Sequence, residues 1–191
     1  MDFRCNEYDY NVDCTEKCKY KDKDKGKDKD SCFKSKKVLL ECGFNPQCAI
    51  FEIDDDHVEQ HQYFDLDKLV IDTTGLCRPL VKIEFSSLIS FEAECRNSEV
   101  EVELLFELIR ICKGEKECVQ SWCYKKEFET QNGIEVEISE PFTVTFCDRA
   151  CPECCEYKMI VKGIDFDGDF EYLNVVKPNL SAIAQGLCSD Y

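Results

Sequence analysis

Residues Phe146–Val161 read FCDRACPECCEYKMIV and place four cysteines, Cys147, Cys151, Cys154 and Cys155, within nine positions. Three chemistries use such a cluster. A structural zinc site takes two Cys-x-x-Cys knuckles, or one knuckle with two further ligands. Cys151–Cys154 is the one pair with that spacing; Cys14/Cys18, Cys42/Cys48, Cys112/Cys118 and Cys118/Cys123 are spaced otherwise. A metal reading would use Cys147, Cys151 and Cys154. Against it, adjacent side chains such as Cys154 and Cys155 point to opposite faces of an extended segment. Dithiol redox catalysis needs its first thiol at a helix N-terminus, where the dipole lowers the thiol pKa. Here the motif follows PFTVTFC and precedes EYKMIV, both strand-like. The third chemistry is cross-linking. One of Cys154 and Cys155 would face its own domain and the other would face outward, ready to pair with a second molecule once an oxidant is present.

The other chemistry-bearing residues point to less. His57 and His61 in DDDHVEQH share a face only on a helix, and they read as a solvated loop. Asp165-Phe-Asp-Gly-Asp begins like a calcium loop, but Phe170 stands where that loop needs Gly and Val176 where it needs Glu. It reads as a polar turn. The lone Trp122, in SWCYKK, is the seed of a weaker reading as a ligand-binding aromatic platform. No nucleophile elbow and no phosphate-cradling glycine loop is present, and two histidines leave few bases. The expectation is a protein that is not an enzyme and carries no cofactor.

The elements that must position these residues follow from period-two patterning. Val100, Val102, Leu104, Phe106 and Leu108 alternate strictly; Arg110 breaks the series and Cys112 resumes it. Val81-Ile83-Phe85, Ile134-Val136-Ile138, Phe142-Val144-Phe146 and Tyr157-Met159-Val161 repeat the pattern. Shorter strand candidates lie at Val38–Cys42, Ala49–Ile53, Leu66–Ile71, Leu88–Glu92, Val119–Tyr124 and Tyr172–Val176. Turn signals separate them, at Gly43, Thr73-Thr74-Gly75, Lys113-Gly114, Asn132-Gly133 and Asp167-Gly168. The expectation is an all-β antiparallel sandwich, a jelly roll, over residues 38–191.

Residues 1–37 differ in character. Lys19–Asp30 reads KYKDKDKGKDKD, too polar to offset its ordering entropy, and an extended arm is expected there. It carries Cys5, Cys14, Cys18 and Cys32, which a mere solubiliser does not need. Residues 19–37 hold nine Lys and four Asp, a balance of +5. With a net charge of −16, the remainder carries −16 − 5 = −21. Such acidity argues against nucleic acid or an anionic membrane as partner, and no window approaches a membrane span.

Sixteen cysteines in 191 residues reach the density of a disulfide scaffold. Yet the N-terminus MDFRCNEYDY lacks the basic and apolar regions of a signal peptide. The two facts are compatible if the chain is made among reduced thiols and oxidised after the producing cell lyses. The cross-linking reading takes Cys5, Cys14, Cys18, Cys32, Cys147, Cys151, Cys154 and Cys155 as intermolecular disulfide candidates. Cys42, Cys48, Cys77, Cys95, Cys112, Cys118, Cys123 and Cys188 are further cysteine candidates. The rival reading is a cytosolic zinc- or iron-binding module.

KVLLECG (37–43), IDTTGLCRPLVKIEFSSLISFE (71–92), FELIRIC (106–112), FTVTFCD (142–148), CPECCEY (151–157) and NLSAIAQG (179–186) resemble a cysteine-rich domain-of-unknown-function family of clostridia. More loosely, the chain is similar to β-sandwich subunits of spore coats, exosporia and endospore appendages. That resemblance implies a structural subunit made in the mother-cell cytoplasm, ending on the spore surface. It would assemble with itself, as a homopolymer, and with other spore-surface proteins. In such fibres a cysteine-bearing N-terminal arm reaches into neighbouring subunits and is locked there by disulfides; the Lys/Asp tract here departs from those short arms.

Overall fold

The computed structural model describes residues 38–54, 57–59, 62–95, 99–129, 131, 133–149 and 152–186. These carry eleven strands and no helix: β1 (Val38–Cys42), β2 (Ala49–Ile50), β3 (Ile53–Asp54), β4 (His57–Val58), β5 (Tyr63–Asp72), β6 (Pro79–Glu94), β7 (Glu99–Cys112), β8 (Glu115–Glu129), β9 (Glu135–Asp148), β10 (Cys154–Asp167) and β11 (Asp169–Gly186). Residues 1–37 and Cys188 lie outside the described residues, and with them the expected arm.

Two antiparallel sheets face one another. One runs β1-β11-β6-β9, with β2 also on β11; the other runs β5-β10-β7-β8; β3 and β4 form a small hairpin. Along the eight long and edge strands the chain changes sheet at every connection except the β7–β8 hairpin. That interleaving is the strand order of a jelly roll.

The core is built by alternation. Val100, Val102, Leu104, Phe106 and Leu108 of β7 are all fully buried and meet the inner row of β6, including Phe85, whose ring lies 6.2 Å from that of Phe106. Burying rows on facing sheets is what removes this apolar area from water.

Two pairs of sequence segments prove to be single strands. Val81–Phe85 and Leu88–Glu92 are joined in β6 because buried Ser87 holds the inward phase between Phe85 and Ile89. Ile134–Ile138 and Phe142–Phe146 are joined in β9 through Pro141, which pairs with Leu88. Proline lacks an N–H, but β9 is a sheet edge, where a missing donor on the open side costs no ladder bond. In β11 the strand runs well past Val176. A register shift between Val176 and Asn179, with Lys177 at φ 53°, moves the buried phase from Leu173 and Val175 to Leu180, Ala182 and Ala184. Strict alternation cannot be followed across such a bulge.

Candidate cross-linking surface

Strand register gathers the cysteines of the Phe146–Val161 segment at one end of the sandwich. Cys147 closes β9 opposite Lys82, and Cys154 opens β10 opposite Asp72. Cys155 lies between Ile71 on one side and Cys112 on the other. In β10 the alternation turns Cys155 inward and Cys154 outward: Cys155 is buried and Cys154 exposed.

Cys155 is bonded to Cys112, with Cα atoms 4.5 Å apart. That spacing is the close approach of a non-hydrogen-bonded antiparallel pair, and both side chains leave on the same face. Cys155 is therefore corrected as an intermolecular candidate: it is buried and joined within its own chain. Cys112 is used the same way, and Cys77 is also disulfide-bonded.

Seven described cysteines are not part of a described disulfide. Cys42, Cys48, Cys123, Cys147 and Cys154 are exposed, Cys118 is half-buried and Cys95 is buried. Burial, followed by the Glu94 charge, pushes the Cys95 thiol up. Burial and then Glu103, which accepts from Cys123 Sγ at 3.5 Å, push the Cys123 thiol up as well. Cys5, Cys14, Cys18, Cys32, Cys151 and Cys188 lie outside the described residues. Neither Cys147 nor Cys154 belongs to a three-donor cluster among the described residues, so the metal set of Cys147, Cys151 and Cys154 gains no support there.

The exposed thiols have a structural logic. Cys42 is on β1, Cys123 on β8 and Cys147 on β9, three of the four strands that end the two sheet paths. β8 and β9 lie on the same side of the sandwich: Lys126 meets Glu140 at 3.0 Å, and Phe142 of β9 stacks on Phe106 at 4.1 Å. An edge strand offers unpaired backbone groups to a further strand. A strand added there brings opposite Cβ atoms to about 4.5–5.5 Å, close to what a disulfide requires.

A buried polar tie pins this end. Asp148, at the end of β9, accepts from Arg110 Nη1 of β7 at 2.7 Å and from Tyr157 Oη of β10 at 2.7 Å. It thereby joins the two sheets. Burial opposes the charge on Arg110, but Asp148 and Glu117 outweigh that and raise its pKa. Burial, then the Asp148 charge, pushes the Tyr157 phenol above its usual range. Sequence reading saw Arg110 only as a break in the β7 row and passed over Asp148 altogether. The signal was present: each charge occupies an inward phase, following Leu108 and Phe146 respectively, and the two are opposite in sign.

Trp122 is not an exposed platform; it is half-buried and packed against the core. The Asp165–Asp169 segment is the tight β10–β11 turn, with Gly168 at φ 117°. His57 is exposed in the β3–β4 hairpin, opposite Asp54, and His61 lies outside the described residues.

The family model described as "Domain of unknown function (DUF4489)" matches residues 36–185. The chain belongs to that family. The DUF4489 match begins just before β1 and ends one residue short of the end of β11, so it spans the sandwich and leaves the four arm cysteines outside. No curated protein matches the chain. Among solved structures, it is similar to a chain from the structure of the infectious bursal disease virus Gt strain, with TM-score 0.36, 10% identity, and coverage of 78% of this chain and 33% of that one. A chain of the Gx strain gives TM-score 0.34, 9% identity, and coverage of 81% and 38%. The chain thus spans about a third of the viral chains it matches. A likeness at that level says nothing of what this DUF4489 protein assembles with.

Proposed function

We propose that this chain is a structural subunit, without catalytic activity, that polymerises with itself and is locked by intermolecular disulfides on a spore surface, in a coat, exosporium or appendage fibre. The observation that carries this reading is the placement of exposed thiols on open sheet edges, at Cys42, Cys123 and Cys147, with Cys154 exposed at the same end of the sandwich as Cys147. Once an oxidant is present, thiols so placed can pair with those of a second subunit. The outer face of the first sheet adds an apolar pair, Leu40 directly opposite Ile183, both exposed, of the kind that a second subunit would cover.

Charge supports the part assigned to residues 1–37. The outer face of the same sheet crowds Glu92, Glu135, Glu137 and Glu171 together, and the Glu92 carboxyl is pushed up to about 7, first by its hydrogen bond with Glu135. A basic arm from a neighbour would relieve that repulsion, and its cysteines would then fix the contact. Each bond would add about 2–4 kcal/mol, though its larger effect is kinetic, since cross-linked assemblies do not dissociate. Synthesis in the mother-cell cytoplasm and exposure at lysis would supply the oxidant at the right time.

The test is a comparison of gels. Air-oxidised protein should run, without reductant, as a ladder or as material too large to enter the gel, and reductant should collapse it to the 22.2 kDa chain. Imaging of the oxidised sample should show fibres or layers. A clean monomer without reductant would sink the reading.

A further inference from the structure

The Cys112–Cys155 bridge has a third neighbour. The sulfurs of Cys112 and Cys155 and a carboxylate oxygen of Glu153 all lie within 4.8 Å of one another. Glu153 is held there by its backbone. Its N–H donates to Thr73 Oγ1 at 3.1 Å, and its carbonyl accepts from Thr73 Oγ1 and from the Thr73 N–H, each at 2.9 Å. Thr73 is itself buried. The backbone of Glu153 is therefore anchored beside the two sulfurs independently of what its carboxylate binds. Its carboxylate also pairs with Lys113, whose side chain is exposed.

We propose that, once the bridge is reduced, Cys112, Cys155 and Glu153 form a divalent metal site of the zinc class, so that metal and disulfide are alternative occupants of one position. Two thiolates and a carboxylate are three of the four ligands that zinc takes, and a water would complete the set. The two states interconvert by balanced chemistry. Two equivalents of a low-molecular-weight thiol reduce the bridge, giving two cysteine thiols and one small disulfide. Metal binding then releases the two thiol protons. In the reverse direction a small disulfide takes up two electrons, Cys112 and Cys155 join, and the metal leaves. In the reducing state the metal would hold the ends of β7 and β10 together and keep these two thiols from pairing with the wrong cysteines. The proposal concerns thiols paired within one chain and does not depend on assembly.

Cobalt serves as the probe. The full chain would be reduced with a small thiol, desalted without oxygen and titrated with Co²⁺, following the sulfur-to-cobalt charge-transfer absorption. Because other thiols can also bind cobalt, the comparison is with Cys112→Ser/Cys155→Ser and with Glu153→Gln. The double variant should lose one equivalent relative to wild type, and oxidised wild type should lack the same equivalent. Glu153→Gln keeps the backbone anchor and the bridge, and it should bind that equivalent about tenfold or more weakly. The proposal is overturned if the double variant binds as many equivalents as the reduced wild type, if oxidation changes nothing, or if Glu153→Gln binds as tightly as wild type. Should the double variant fail to fold, the Glu153→Gln titration decides alone. Formation of ladders on the gel is read separately, so either idea can fail without the other.

Discussion

Asp148 ties the two sheets together through one side chain. It is buried, charged and shared between Arg110 and Tyr157. Removing one partner of a buried pair strands the other. Asp148→Ala should therefore cost about 3 kcal/mol, and Tyr157→Phe about 1 kcal/mol, both measured by urea unfolding at fixed redox state. An Asp148→Ala protein as stable as wild type would show that the tie is solvated. Glu92 gives a pH effect of opposite sense to most carboxylates. Its folded pKa, about 7, lies above the value expected in the unfolded chain, so between those values the folded state binds the extra proton. Stability from this group is present at lower pH and is lost as pH rises through about 7. Glu92→Gln should raise the melting temperature at alkaline pH and change it little in the acid range; an equal shift at both would contradict the assignment.

At the scale of elements, the joint between the Gly43 turn, β5 and β11 is tightest. Asp67 Oδ1 accepts from the backbone N–H groups of Lys68 and Asn45, and its Oδ2 from that of Leu180. This occurs where β5 shifts register against β10 between Met159 and Ile160. A Cβ on Gly43 would fall 2.0 Å from the Asp67 carboxylate, so an added methyl must displace the group that ties the Asn45 loop, β5 and β11 together. Gly43→Ala should lower stability by about 3 kcal/mol, read by thermal unfolding, and an unchanged midpoint would mean that the turn relaxes freely. The edges are the second element-level feature. β8 and β9 are long and unpaired on one side, and nature usually blunts such edges. Here the blunting is partial: Pro141 interrupts the donors of β9, while Cys123 and Cys147 remain exposed. Cys147→Ser with Cys154→Ser should thin the ladder on non-reducing gels, whereas Cys95→Ser should leave it unchanged because Cys95 is buried. Equal ladders from all three would place the cross-links elsewhere.

For the whole molecule, the proposed assembly rests on the charge asymmetry of the sequence between basic residues 19–37 and the acidic remainder. Residues 19–37 carry +5 against −21 for the rest. Truncation of residues 1–37 should leave a sandwich with an unchanged cooperative unfolding transition that no longer forms high-order material on oxidation. Assembly that survives truncation would assign the contacts to the sandwich edges alone. Among the described residues no helix is long and apolar enough to cross a membrane.

The sequence by itself determined the all-β class and the inward row of β7: the clean alternation that opens the segment outweighs a helical reading of ELLFELIRI, in which Leu105, Leu108, Ile109 and Cys112 would share a face. It also determined that Cys154 and Cys155 must part company, since neighbours on a strand face opposite ways. It read β6 and β9 as shorter pieces, because Ser87 and Pro141 interrupt an apolar pattern without interrupting a strand. Only the tertiary structure decided which of the two cysteines turns inward, and that Cys112, 43 residues away, is its partner. Pairing between strands distant in sequence depends on sheet order and register, which no local pattern encodes. The same reason hid Asp148 and Glu153. Each is an ordinary acidic residue in its own segment, and each becomes special only where Arg110 and Tyr157, or the two sulfurs, are brought to it by other strands.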